Sequence, residues 1–162
     1  MIFGTGLDII EIERIKNSIE KYSPKFEQRV FTSSEISYCQ TKGNPAKHFA
    51  ARFAVKEAVS KCLGTGITGL LGFKDMEVIN EETGKPVLKM IGKGEKLFQK
   101  LKLKTIHISI SHDRTHAIAH AIAKIGKTRT LEINSAFSRI HFSLHSHFPC
   151  ETSFSKAGGL PW

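Results

Sequence analysis

Asp8 and Glu57 lie far apart in the chain, yet they are the two carboxylates around which catalysis is most readily built. Glu57 sits in Phe49-Ala50-Ala51-Arg52-Phe53-Ala54-Val55-Lys56-Glu57-Ala58-Val59-Ser60-Lys61-Cys62-Leu63. Wound as a helix, that segment is apolar on nearly every side, the mark of a buried helix. A carboxylate there is costly unless a cation stands beside it. Lys61, four residues on, stacks on the same face. Two readings stay open: an i,i+4 salt bridge, or a metal-ligating Glu beside a phosphate-binding Lys, with small neighbours letting a ligand approach. Asp8 follows the apolar run Gly4-Thr5-Gly6-Leu7. It either caps the next helix or joins Glu57 in an oxygen-only pair. Such a pair suits Mg²⁺, which is commonly held by one or two carboxylates with substrate phosphates and water completing its octahedron.

A third cluster is Ile106-His107-Ile108-Ser109-Ile110-Ser111-His112-Asp113. Strand alternation puts Ile106, Ile108 and Ile110 on a core face and His107, Ser109 and Ser111 on the other. Adjacent strand residues point to opposite faces, so Ser111-His112-Asp113 cannot form a hydrolase relay. Ligand hydrogen bonding and plain solvent exposure remain as its two readings. The run Gly64-Thr65-Gly66-Ile67-Thr68-Gly69 fits G-x-G-x-x-G but follows a helix, whereas the dinucleotide fingerprint needs a strand before it. His141, His145, His147 and Cys150 have passable zinc spacing in a segment with no evident scaffold to support a metal.

The elements that must carry these residues follow from periodicity. Met1 to Ile10 reads as a strand ending near Asp8 and broken by Gly4 and Gly6, and Glu11 to Tyr22 as a helix buried through Ile12, Ile15 and Ile19. Pro24 interrupts, and Thr32 with Glu35 announces a capped helix. The long helix runs from His48 to Leu63 with Gly64 ending it. Phe73 to Asn80 and Val87 to Ile91 form a hairpin around Glu81 to Pro86. A short basic helix spans Glu95 to Leu103, and strands span Thr105 to Ser111 and Thr115 to Ile125. Hairpins mixed with helices give an α+β class with an antiparallel sheet and a long buried helix. From about Gly126 the chain turns rich in Ser, His and Phe without periodicity. Residues 1–125 are therefore expected to form the domain, and 126–162 a poorly ordered tail.

The 162 residues are 40% apolar and 24% charged, ordinary for a globular domain, and carry a net charge of +9 that favours anionic partners. Three cysteines without a CxxC pair fit a reducing cytoplasm. Neither a signal peptide nor a membrane span is expected.

The segments GTGLDIIEIERI at 4 to 15, FAARFAVKEAVSKCLGTGI at 49 to 67 and ISISHDRTHAIAHA at 108 to 121 resemble the holo-[acyl-carrier-protein] synthases, small bacterial phosphopantetheinyl transferases. G-x-D near the start paired with F-x-x-K-E-A-x-x-K is highly specific to that superfamily, and the resemblance runs to about residue 125. It implies the α+β 4′-phosphopantetheinyl transferase fold, a homotrimer with active sites between protomers, and transfer of the 4′-phosphopantetheine arm of coenzyme A to a serine of apo acyl carrier protein, in support of fatty acid biosynthesis. By position it implies Asp8 and Glu57 as Mg²⁺ ligands and Lys61 on the cofactor phosphates. Arg52 and Lys56 would lie near coenzyme A, with Gly64, Thr65, Gly66, Ser109, Ser111 and His112 lining the nucleotide site. An acidic carrier would dock around Arg14, Lys21, Lys25, Phe26 and Arg29. The tail has no counterpart in that pattern.

In the implied reaction the carrier serine attacks the phosphorus bearing the arm and releases 3′,5′-ADP, with Glu57 acting through a metal-bound water as the base and Asp8 as the lesser alternative. Two rivals make different demands. A basic nucleic-acid module needs basic and aromatic residues interleaved on one face, but here they are scattered, so no nucleic acid is expected as a partner. A Mg²⁺-dependent nucleotide hydrolase would use the same carboxylates and cleave coenzyme A without a carrier.

Overall fold

In a computed structural model of the protein, residues 1–126 are described, and the candidate zinc set in the tail lies outside them. The chain order is β1 (Ile2–Glu11), α1 (Ile12–Tyr22), α2 (Lys25–Val30), α3 (Ser33–Gln40), α4 (Pro45–Leu63), β2 (Met76–Asn80), β3 (Pro86–Met90), α5 (Lys93–Lys100), β4 (Leu103–His112) and β5 (His116–Ile125). Both sheets are antiparallel: one has the order β1-β5-β4, and the other pairs β2 with β3. The α+β expectation, with a long helix at its centre, describes this architecture.

The long helix starts earlier than periodicity indicated, because Pro45 occupies its first turn and the Asn44 side chain accepts from the Lys47 N–H at 3.3 Å. It ends at Gly64, whose φ of 69° is the left-handed conformation glycine tolerates best. Thr32 and Glu35 form the expected capping box. Residues 73–75 differ from the expected strand: they form a 3₁₀ turn, closed where Asp75 Oδ2 accepts from the Gly72 N–H at 2.8 Å. The basic helix begins at Lys93 and stops at Lys100; Lys102 then turns the chain at φ 52°, and Leu103 already belongs to β4. Helix α2 was not foreseen, since six residues hold too few turns to show a period.

The core lies where α4 crosses the three-stranded sheet, chiefly over β1 and β5. The sheet face beneath it is made of small residues. Ala117, Ala119, Ala121 and Ala123 of β5 are fully buried, and register pairs Gly4 with Ala123, Gly6 with Ala121 and Asp8 with Ala119. A Cβ on Gly4 would collide with the Cys62 carbonyl oxygen, and one on Gly6 with that of Ala58. The two glycines are therefore what lets the helix backbone lie directly on the strand.

Candidate active site

That close approach decides where the charged residues of α4 go. From Phe49 to Leu63 every residue is buried except Glu57 and Lys61. Both emerge beside β1, where Asp8 projects on the same face as Gly4 and Gly6. The Lys61 ammonium lies 2.7 Å from Asp8 Oδ1 and 3.3 Å from the Leu7 carbonyl oxygen. The i,i+4 pairing of Lys61 with Glu57 is thus set aside: the lysine reaches across to the strand. Capping by Asp8 is set aside as well, because Glu11 occupies the N-cap of α1 and makes no side-chain cap.

Among the described residues no ion pair or hydrogen bond engages the Glu57 carboxylate. Burial, and then the negative charge of Asp8, push its pKa above the ordinary glutamate value, with Lys61 pulling the other way. Two carboxylates repelling each other beside one ammonium leave an excess of negative charge, the condition a hard cation relieves. No group of three or more His, Cys, Asp or Glu side chains gathers among the described residues. The pair alone cannot enclose an ion, so the donor set fits Mg²⁺ that keeps positions open for water and phosphate.

A second electropositive region lies at the other end of α4. His48 is held below the usual histidine pKa first by burial, then by the charges of Arg52, Lys42, His112 and Lys47. Arg52 stacks over the Tyr38 ring at 4.1 Å and donates to Asn80 Oδ1 at 2.8 Å, while its Nε is buried without a hydrogen-bond partner. One donor of Arg52 is therefore left without a partner inside the fold. Past Lys61, the buried Thr65 hydroxyl also lacks a partner, next to Gly64 and Gly66 in left-handed conformations.

Other expected residues are not brought together. Ser109 and Ser111 pair with His120 and Ile118, on the sheet face turned away from α4 and Asp8. Asp113 is occupied in the β4–β5 turn, accepting from the Thr115 and His116 backbone N–H groups at 2.7 Å each. Lys56 needs correction: its side chain is fully buried, 2.7 Å from Glu35 Oε2 and 2.8 Å from the Val30 carbonyl oxygen, and it cannot touch a ligand at the surface. Phe26 needs the same correction as a docking residue. It is 2% exposed and packs edge-on against Phe31 in the core, whereas Arg14, Lys21, Lys25 and Arg29 are exposed.

A hollow of about 520 Å³ lies between the start of α1 and the β4–β5 turn, lined among others by Glu11, Lys16, Asn44, Arg114 and His116. It contains none of Asp8, Glu57 and Lys61, and its charges already balance in sign. The unbalanced carboxylate pair, not this hollow, marks the site.

Residues 4–123 match the 4′-phosphopantetheinyl transferase superfamily. A holo-[acyl-carrier-protein] synthase of Geobacter sp. (strain M21) is 43% identical over 122 residues, covering 75% of this chain and 98% of that protein. The corresponding protein of Halothermothrix orenii is 43% identical over 126 residues, 78% of this chain and 100% of its own length. Among solved structures, the Helicobacter pylori holo-[acyl-carrier-protein] synthase in complex with coenzyme A is 31% identical with a TM-score of 0.68, covering 74% of this chain and 99% of its own. The Neisseria meningitidis synthase reaches a TM-score of 0.73 at 30% identity, covering 76% and 99%. With its small-residue sheet face, its carboxylate pair and these relatives, the chain belongs to the 4′-phosphopantetheinyl transferase superfamily.

Proposed function

We propose that Asp8 and Glu57 hold Mg²⁺ in a holo-[acyl-carrier-protein] synthase that moves the 4′-phosphopantetheine arm of coenzyme A onto a serine of apo acyl carrier protein. The observation that carries this is that α4 leaves only Glu57 and Lys61 unburied between Phe49 and Leu63, and turns both towards Asp8. Bound there, Mg²⁺ supplies positive charge to the diphosphate as negative charge shifts towards the leaving group. Lys61 exchanges Asp8 for a phosphate oxygen and steadies the departing 3′,5′-ADP. Glu57 takes the proton of the serine hydroxyl through a water as the serine oxygen attacks the phosphorus bearing the arm. The bond from that phosphorus to the bridging oxygen breaks, and the oxygen leaves with the ADP portion.

The electropositive region of Lys42, His48, Arg52 and His112 is suited to the remaining phosphate of coenzyme A, and Thr65 between Gly64 and Gly66 to its other end. Arg14 and Lys21 on α1, with Lys25 and Arg29 on α2, offer a basic surface to an acidic carrier. Ser109 and Ser111 face away from Asp8, so they serve a nucleotide site only if a second copy presents them. Leu7 and Ile9 are 59% and 58% exposed on that same face, with Ile118 beside them at 38%, an apolar surface that favours the homotrimer. No helix among the described residues is long and apolar enough to cross a membrane, and a cytoplasmic setting agrees with a cofactor and carrier of that compartment.

The test is intact-mass spectrometry of an apo carrier protein incubated with the chain, coenzyme A and Mg²⁺. A gain of one phosphopantetheine, with 3′,5′-ADP released, is expected. Nucleotide release without a carrier would move the chain to the hydrolase class.

A further inference from the structure

Lys56 is the neighbour of Glu57 in sequence and points about a third of a turn away from it, into the interior. Its ammonium bonds to Glu35 Oε2 at 2.7 Å and to the Val30 carbonyl oxygen at 2.8 Å, and lies 5.4 Å from the centre of the Phe31 ring. Glu35 is buried too, and both of its oxygens are in use. Oε2 accepts from the Thr32 N–H and Oε1 from the Val78 N–H, each at 2.9 Å. Thr32 in turn donates its hydroxyl to Glu77 at 2.7 Å. One buried ion pair thereby ties α4 to the end of α2, the first turn of α3, and β2.

The sheet beneath α4 fixes the distance of the helix more firmly than its rotation. The larger side chains of that face, Ile106, Ile108 and Ile110, stand on β4; over β1 and β5 the contact surface is Gly4, Gly6 and four buried alanines, with the backbone of Ala58 and Cys62 lying against the glycines. Such a surface permits close approach but has few protruding side chains to lock into grooves. A directional, fully satisfied polar contact fixes what smooth packing leaves free. The tolerance at the site is narrow. With side chains reaching about 5–6 Å from a helix axis, a rotation of about 20° moves a carboxylate by about 2 Å. That is comparable to a whole Mg–oxygen bond, for an ion that demands near-ideal octahedral geometry.

We infer that Glu35 and Lys56 are positioning residues for the reaction: their buried pair sets the rotation of α4, so that the Glu57 carboxylate meets Asp8 across one divalent ion. The inference rests on the metal reading of Asp8 and Glu57. Neither Glu35 nor Lys56 touches coenzyme A or the carrier. They act through the helix that bears Glu57.

The test replaces the pair by apolar residues of similar size, Glu35→Leu with Lys56→Met, since removing both charges together avoids the larger penalty of one buried charge left alone. Mn²⁺ binding to the full chain is titrated by electron paramagnetic resonance with coenzyme A present, next to thermal melting and Mg²⁺-dependent transfer. The double variant leaves the Thr32 and Val78 N–H groups and the Val30 carbonyl without partners, so it should melt cooperatively but below the wild type, and bind Mn²⁺ about 10-fold or more weakly, as loss of groups that orient metal ligands typically does. Its KM for the carrier should hold, while the Mg²⁺ needed for half-maximal rate rises. A double variant that still melts cooperatively and binds Mn²⁺ with wild-type affinity overturns the inference and leaves a purely structural role. Should the double variant not fold, Glu35→Gln keeps the shape and one of the two acceptor oxygens while removing the charge that holds Lys56; a smaller loss of Mn²⁺ affinity supports the inference, and none contradicts it. Failure of the wild type to bind Mn²⁺ would sink the metal reading itself and this inference with it, before any variant is compared.

Discussion

The Lys61 ammonium lies 2.7 Å from Asp8 Oδ1, so the lysine of α4 and the aspartate of β1 neutralise each other across the gap that Glu57 also faces. Lys61 is half exposed and Asp8 is 14% exposed, so this is a solvent-screened pair of modest strength, about 0–1 kcal/mol. Its importance lies in competition: Asp8 must give up the ammonium to serve a metal. Substituting Lys61→Met should change folding stability by less than about 1 kcal/mol. It should leave divalent-ion binding in the absence of coenzyme A equal or tighter, and raise the KM for coenzyme A. Calorimetric metal titration with steady-state kinetics separates these effects.

Glu57 should weaken the fold it serves. Burial and the Asp8 charge raise its pKa, so in the window above the ordinary glutamate value the folded chain holds a proton that the unfolded chain has lost. The stability this gives is complete below the unfolded pKa and disappears as pH rises through the folded one. In chelator, Glu57→Gln should therefore be more stable than the wild type at neutral pH, on the order of 1 kcal/mol. The difference should shrink on acidification, as followed by melting temperature against pH.

Gly6→Ala places a methyl group against the Ala58 carbonyl oxygen and the Cys62 backbone nitrogen. The helix must lift from β1, at a cost of about 1–3 kcal/mol. Transfer should fall by much more than the stability loss explains, because Glu57 moves away from Asp8. Denaturant melts beside transfer assays on the same preparation give the comparison.

Much of this arrangement was legible in the sequence. An apolar-all-round helix interrupted by Glu57 and Lys61 announced its own buried position, and the Ile106 to Ile110 alternation gave the faces of β4. What escaped was anything set by distant pairing. Gly4 and Gly6 read as breaks in a strand, whereas they are contact points for α4; the same spacing of two in Ala117, Ala119, Ala121 and Ala123 was the available signal of a small-residue face. Lys56 was placed near coenzyme A by resemblance alone, and its buried partner Glu35, 21 residues earlier, showed in the sequence only as half of a capping box. Phe26 entered the docking set by resemblance, and the short helix α2, too brief to show a period, turns it inward.

The outer sheet face gives a prediction about assembly. Leu7→Glu puts a charge on an exposed position that makes no contribution to the described core. The isolated fold should persist, shown by unchanged circular dichroism. Under the proposed homotrimer, light scattering should report a shift from trimer to monomer, with loss of transfer if Ser109 and Ser111 serve a neighbouring copy.

The most direct measurement follows arm transfer to apo carrier protein by intact mass, across a Mg²⁺ series, for the wild type, Asp8→Asn and Glu57→Gln. The wild type should need the ion, and each variant should lose its Mg²⁺-dependent rate while still melting as a folded protein. Wild-type turnover in either folded variant, at ordinary Mg²⁺, would contradict a metal shared by the two carboxylates.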